Sequence, residues 1–543
     1  MTRDPHDLTT PPDLTVRHGT GPVRARRPTY IDLHPPCSAA CPAGEQVQEW
    51  LALAQARRYR EAWDVLVRDN PFPAIHGRVC YHPCESACNR DPLDGAVSIH
   101  AVERFLGDRA LSERWLPRID VAPSGRRVLV VGGGPSGLSA AWHLAVRGHE
   151  VELHDAGAEP GGMMRYGIPA YRLPRDVLDG EVERLRQVGV RFEQESRIDD
   201  LERTWREGAF DAVFVAVGAH LSKRTDIPAR DAGRMLDAVS FLRDVAAGAP
   251  PALGRRVAVY GGGNTAMDAA RTAVRLGHEP MVVYRRDRAH MPAHDFEAQE
   301  ALEEGVEIHW LRTIRAIDGA TMTVEVMELD DTGRPRGTGR FETLVADDLI
   351  LALGQDSDTG FLRNVAGVEF SADGSVVVDD AFHTGRTGLF AGGDMVPAER
   401  SVTVAVGHGK RAARHIDAFL RTTTWAEAAT AGPATFEHLN LWFYADIAPG
   451  AEPHSAMRER RESFGEVVAG LDEPDAVHEA KRCLSCGTCF ECDGCLAACP
   501  EDAVIKLGEG RRYRFDYDRC TGCAACFDQC PCGAISMVAE VAS

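Results

Sequence analysis

Residues 127–156 read RVLVVGGGPSGLSAAWHLAVRGHEVELHDA, and this stretch decides the fold. Val128 to Val131 form an unbroken apolar run, as in a strand buried on both faces. Glycines follow, then a helix-period run from Pro135, then a second extended segment ending at Asp155. Strand, turn, helix and strand in this order make a βαβ unit. Gly132 permits the tight turn, Gly134 lets the backbone approach a pyrophosphate, and Gly137 lets the helix close on the strand. Asp155 stands where an acid can bind an adenosine ribose hydroxyl.

A second unit, RVAVYGGGNTAMDAARTAVRLGHEPMVVYRR at 256–286, repeats the pattern. Its turn carries Gly261 and Gly263, its helix opens with Asn264 and Thr265, and Ala266 takes the third glycine's place. The second strand ends in Arg285 and Arg286 instead of an acid, which suits a ribose 2′-phosphate. NADP(H) is therefore expected at this unit, with NAD(H) the alternative. Further on, TGLFAGGDMV at 387–396 sets Gly393 and Asp394 between a strand and a helical run, in position to contact a flavin's ribityl and pyrophosphate groups. Two nucleotide units of different chemistry in one chain suggest a flavoprotein that exchanges hydride with nicotinamide.

The sixteen cysteines avoid this middle region. The tail carries Cys489, Cys492, Cys495 and Cys499 followed by Pro, then Cys520, Cys523, Cys526 and Cys530 followed by Pro. This is the bacterial two-cluster ferredoxin spacing, in which the fourth cysteine of each run serves the other [4Fe–4S] cluster. One cluster is expected on Cys489, Cys492, Cys495 and Cys530, the other on Cys520, Cys523, Cys526 and Cys499. Structural zinc prefers paired Cys-x2-Cys hooks with long spacers, and the tandem runs depart from that. A second group, Cys37, Cys41, Cys80, Cys84 and Cys88, lies near the start and also reads as metal-binding.

The chain has 543 residues, enough for three or four domains, and a net charge of −20. That charge argues against general nucleic-acid binding, which needs clustered Lys and Arg. No apolar run is long enough to span a membrane, and the first residues lack the apolar core of a secretory signal. With so many cysteines, a cytoplasmic, reducing setting is expected.

The segments NPFPAIHGRVCYHPCESAC, GGGPSGLSAAWHLA, GGMMRYGIPAYRLP, YGGGNTAMDAARTA, YRRDRAHMPA and TGLFAGGDMV together resemble the glutamate synthase small-subunit family of flavin oxidoreductases. The resemblance implies an α/β fold: two Rossmann-like nucleotide-binding domains, a helical iron–sulfur domain before them, and here a ferredoxin-like domain after them. It implies FAD at the first glycine unit and NADPH at the second. It places Gly162, Arg165, Gly167, Ile168 and Pro169 along the flavin ring and makes Asp394 the C-terminal FAD aspartate. It also assigns Cys41, Cys80 and Cys84 to one N-terminal cluster, with Glu103 as a fourth ligand. The family's leading Cys-x2-Cys is missing, because Thr29 and Asp32 stand at those positions. EAKRCLSCG at 479–487 resembles that lost motif at the far end of the chain. Cys483 and Cys486 are therefore expected to fold back, or reach across a dimer, and complete a cluster with Cys37 and Cys88. Free or zinc-bound thiols are the alternative.

The expected organisation is a flexible arm over 1–28 and a helical iron–sulfur domain over 29–122. FAD-binding segments follow at 123–225 and 345–425, with an NAD(P)H domain at 226–344 between them, then a linker over 426–480 and a ferredoxin-like domain over 481–543. The expected activity passes electrons between NADPH, FAD and [4Fe–4S] clusters. Their destination is ferredoxin or a larger oxidoreductase complex, such as a 2-oxoacid oxidoreductase, within a homodimer or hetero-oligomer. The rival is a glutamate synthase small subunit serving an amidotransferase partner. A disulfide reductase is rejected, since residues 89–482 contain no cysteine.

Overall fold

The computed structural model describes residues 24–540 apart from 224, 226, 231–232 and 428–430. Both glycine units become parallel five-stranded sheets. In the first, Arg127–Val131 lies between Glu150–His154 and Ala212–Val215, with Arg191–Glu193 and Leu389–Ala391 at the edges. In the second, Arg256–Tyr260 lies between Glu279–Tyr284 and Asp348–Leu351, with Glu307–Trp310 and Met235–Asp237 outside them. The returning strand Asp348–Leu351 thus belongs to the second sheet, although 345 onward was expected in the first domain. Its backbone pairs with Arg256–Tyr260, and it encloses the second unit's core through Ile350.

The helix Pro135–Ala145 packs against the long helix Val402–Leu420. Small residues make this approach possible. A Cβ on Gly409 would lie 2.2 Å from the Ser136 carbonyl oxygen, and one on Gly407 would lie 2.1 Å from that of Pro42. The long helix therefore touches the first nucleotide unit on one side and the N-terminal helices on the other.

Those N-terminal helices include Val47–Gln55, Tyr59–Leu66, Pro73–Val79 and Ile99–Ser112. Their core holds Trp50, Leu51, Leu66, Val102 and Leu106, joined by Leu471, Ala476, Val477 and Ala480 from far along the chain. The expected linker over 426–480 is thus no linker. Its helix Glu473–Lys481 completes the N-terminal core, and its Arg460 is buried against Glu303 and Glu304 of the second nucleotide domain. The expected arm also needs correction. Residues 1–23 lie outside the described residues, but Arg26–Tyr30 is a strand paired antiparallel with Ile535–Ala539, and Arg24 forms an ion pair with Glu540 at 2.8 Å. Among the described residues, no helix is long and apolar enough to cross a membrane.

Candidate functional site

A cleft of about 750 Å³ lies where the two sheets face each other. Gly132, Gly134, Asp155, Gly162 and Ile168 line it from the first unit, Gly261, Gly263, Asn264, Thr265, Arg285 and Arg286 from the second, and Gly393 and Asp394 from the closing loop. The two turns are built alike. Gly132 and Gly261 have φ of +107° and +152°, and a Cβ on either would collide with a carbonyl oxygen, of Ala216 at 2.4 Å or Ala352 at 2.2 Å. A Cβ on Gly134 or Gly263, in contrast, would meet no protein atom within 4 Å. These two glycines also cap helices whose first turns have no side-chain cap. Free backbone N–H groups, a positive helix end and an open cradle suit a pyrophosphate at each place.

The ends of the two second strands differ as their sequences do. The Asp155 carboxylate accepts the N–H groups of Gly133 and Gly157, at 2.5 and 2.6 Å, which fixes it at the cleft wall with lone pairs left for a ribose hydroxyl. Arg285 and Arg286 pair with no carboxylate among the described residues, and the buried Nε of Arg286 has no hydrogen-bond partner. Two guanidinium groups without counter-ions fit a phosphate. At the flavin end the buried hydroxyl of Ser136 is likewise unpartnered. Burial pushes the Asp394 carboxyl up to about 6, partly opposed by Arg400. The donors and cradles present fit a dinucleotide at each half of the cleft.

Gly137 packs beneath the cleft, as expected of the glycine that lets the helix close on the strand, and a Cβ there would lie 1.9 Å from the Gly132 carbonyl oxygen. Two residues expected along the flavin ring, Arg165 and Pro169, are absent from the cleft wall. The Arg165 guanidinium donates to the Pro160 carbonyl at 2.7 Å and pairs with Asp179, so its charge is used within the fold. Several cleft residues escaped the sequence reading, among them Lys223, Arg400 and Tyr81. Tyr81, from the iron–sulfur segment, lines the cleft, accepts a hydrogen bond from Asn264 Nδ2 at 2.7 Å and stacks on His294 with ring centroids 3.8 Å apart. Its only signal was its place beside Cys80.

Fifteen of the sixteen cysteines gather into four groups, and the remaining one, Cys532, has its Sγ 3.8 Å from that of Cys530. Cys499, Cys520, Cys523 and Cys526 line one small cavity of about 20 Å³. Cys37, Cys88, Cys483 and Cys486 line another of about 20 Å³. Burial, and after it the neighbouring Cys530, raises the pKa of Cys489, Cys492 and Cys495, while a hydrogen bond with Cys532 holds Cys530 itself down to about 6. Cys41, Cys80 and Cys84 neighbour one another in the same way, and Glu103 neighbours Cys41 and Cys80. Burial pushes Cys80 and Cys486 up to about 12 and Cys483 up to about 11. Desolvated, converging sulfurs are poor places for bare thiolates and good ones for a metal that neutralises them.

Around Glu103, the Asn70 amide faces three acceptors: Glu103 Oε1 at 2.7 Å, His76 Nδ1 at 2.8 Å and Glu45 Oε1 at 2.9 Å. An amide has two protons, so Asn70 satisfies at most two of these three acceptors. Burial raises both carboxylates, Glu45 to about 7. The fold-back of Cys483 and Cys486 rests on Arg482, which is fully buried. Its guanidinium pairs with Asp94 and Glu479, each at 3.0 Å, and donates to the carbonyls of Ala96 and Gly95 at 2.8 and 2.7 Å. The reach is made within one chain, so no dimer partner is needed.

Comparison with known proteins agrees with this construction. Residues 126–409 match the pyridine nucleotide-disulphide oxidoreductase family, residues 23–115 the dihydropyrimidine dehydrogenase domain II with a 4Fe-4S cluster, and residues 488–534 a 4Fe-4S dicluster domain. The chain is 35% identical over 506 residues to the NADP(+)-dependent formate dehydrogenase subunit beta of Moorella thermoacetica, covering 83% of this chain and 70% of that one. It is 32% identical to the NADPH-Fe(3+) oxidoreductase subunit beta of Geobacter sulfurreducens, over 84% and 76% of the two chains. With the glutamate synthase [NADPH] small chain of Azospirillum brasilense it shares 33% identity, over 73% and 89%. The protein thus belongs to the pyridine nucleotide-disulphide oxidoreductase family, in its glutamate synthase small-chain branch, as an FAD- and NADP-binding oxidoreductase flanked by two 4Fe-4S-binding domains.

Proposed function

We propose that this chain is the electron-entry subunit of a larger oxidoreductase complex, taking electrons from NADPH and delivering them as single electrons through its ferredoxin-like end. The observation that carries this reading is the cleft with two nucleotide cradles in a chain that also gathers four cysteine groups, one of which includes Cys523, the one exposed cysteine of the sixteen. In this reading Gly132, Gly134, Asp155, Gly393 and Asp394 hold FAD, and Gly261, Gly263, Asn264, Thr265, Arg285 and Arg286 hold NADPH. Bound there, FAD supplies conversion between hydride and single-electron transfer, which iron–sulfur centres by themselves lack.

The chain's own residues keep the two cradles in register. Arg172, beside the flavin-side loop, pairs with Asp268 at 2.9 Å and Glu297 at 2.5 Å of the NADPH domain, and Tyr81 meets Asn264 from the iron–sulfur side. We assign cubane clusters to Cys41, Cys80 and Cys84 with Glu103; to Cys37, Cys88, Cys483 and Cys486; to Cys489, Cys492, Cys495 and Cys530; and to Cys499, Cys520, Cys523 and Cys526. Fifteen cysteines given to cluster binding suit a reducing, cytoplasmic compartment.

Ferredoxin or a catalytic partner subunit, including a 2-oxoacid oxidoreductase, is the acceptor this arrangement favours. Two relatives are themselves named as beta subunits. The second reading, delivery to an amidotransferase as in a glutamate synthase, is supported by the small-chain relative, but the dicluster tail favours the first. Substituting Cys523 by Ser in the full chain tests the route. Anaerobic NADPH should still bleach the flavin, while reduction of ferredoxin or of the co-purified partner falls at least tenfold. Wild-type delivery after loss of that cluster would refute the exit.

A further inference from the structure

Cys80 lies just behind the wall of the nucleotide cleft. It ends the helix Pro73–Val79, and its sequence neighbours Val79 and Tyr81 both line the cleft wall. Opposite it stands Thr403, in the first turn of the helix Val402–Leu420. Ser401, Val402 and Ala405 of that turn line the cleft, while Thr403 is buried behind it. The Thr403 hydroxyl donates to Cys80 Sγ at 3.2 Å.

A helical threonine usually returns its proton to the carbonyl four residues back. For Thr403 that residue is Glu399, which precedes the helix, so the hydroxyl is free to face the sulfur. The same sulfur accepts the His82 backbone N–H at 3.4 Å. Elsewhere Cys483, Cys499, Cys520 and Cys530 accept backbone N–H groups from Ser485, Ala503, Gly522 and Ala534 at 3.2–3.4 Å. Among the described residues, other hydroxyls also meet cysteine sulfurs, Tyr30 with Cys495 at 3.6 Å and Ser485 with Cys483.

We propose that Thr403 is a positioning residue that sets the reduction potential of the flavin-side cluster by hydrogen bonding to Cys80 Sγ. The proposal rests on the reading above that Cys41, Cys80 and Cys84 hold a cluster. When that cluster is reduced, it gains one electron, the reduced flavin loses one, and the hydroxyl proton stays on Thr403. The added negative charge lies partly on the sulfurs, so a donor to Sγ stabilises the reduced state more than the oxidised one and raises the potential. The same helical turn forms cleft wall and cluster contact, so this residue matches acceptor to donor at the first one-electron step.

The test uses full-length holoprotein, with iron analysis and a redox titration followed by electron paramagnetic resonance. The signal of this cluster is identified by its loss in Cys80→Ser. Thr403→Val keeps the shape and removes the hydroxyl, Thr403→Ala removes it with less bulk, and Thr403→Ser keeps it. Both hydroxyl-free variants should retain wild-type iron. At the poise that half-reduces the wild-type cluster, their reduced-to-oxidised ratio should fall about fivefold, the worth of one ordinary hydrogen bond. Thr403→Ser should titrate as wild type, and the other signals should not move. An unmoved signal in an iron-replete Val or Ala variant overturns the Thr403 role and leaves the cluster reading standing. Wild-type iron and every signal retained in Cys80→Ser overturns that reading, and the proposal with it.

Discussion

Removing both Arg285 and Arg286 should convert a strong preference for NADPH into near indifference between the two nicotinamide nucleotides. A hydrogen bond to a charged group contributes about 1.5–3 kcal/mol. Arg285 is exposed and belongs at the low end of that range. Arg286 carries a buried Nε without a partner and gains more from a phosphate. Taken together, with neighbouring effects not fully additive, the pair should contribute at least about 3 kcal/mol, or roughly a hundredfold in the KM for NADPH. NADH lacks the 2′-phosphate, so its KM should change less than about threefold. The double substitution should not unfold the protein, because neither arginine pairs with a carboxylate among the described residues and no counter-ion is stranded. Anaerobic steady-state reduction of a one-electron dye, with flavin content matched between proteins, measures both constants. A wild-type protein that prefers NADH, or a double variant that loses both nucleotides equally, would refute the reasoning.

Two further outcomes follow from the same geometry. Gly134→Ala should leave the melting temperature of FAD-free protein nearly unchanged, because its Cβ meets no protein atom, yet weaken FAD binding by filling the cradle; Gly137→Ala should destabilise the same protein by about 1–3 kcal/mol through contact with the Gly132 carbonyl. Equal melting shifts in the two would show that the cradle is misread. Changing Cys483 and Cys486 together to Ser should remove about four irons from the about sixteen expected of four cubanes, with the ferredoxin signals intact. An iron count equal to wild type would reject that ligand set.

The nucleotide cradles could be read from the sequence because their determinants are local. Gly132, Gly134 and Gly137, and likewise Gly261 and Gly263, act through backbone angles and contacts within one βαβ unit, so spacing alone carries the information. The ferredoxin cysteines are legible for the same reason, since each run supplies three neighbouring thiols and a known offset to the fourth. Arg165 shows where local reading stops. Its neighbours resemble a flavin-facing segment, but Asp179, fourteen residues on, takes its charge, and only the packing of the helix Arg175–Gln187 reveals that.

Tertiary structure alone decided the long-range assembly. Residues 426–480 look like a linker because their apolar positions are sparse. Yet Leu471, Ala476, Val477 and Ala480 complete a core begun by Val47 and Trp50, more than four hundred residues earlier in the chain. Burying that face, together with the Arg482 latch on residues 94–96, brings Cys483 and Cys486 to Cys37 and Cys88. The sequence contained both halves of that site but not the distance between them. That distance is set by hydrophobic burial, which is non-directional and leaves no fixed spacing in a sequence.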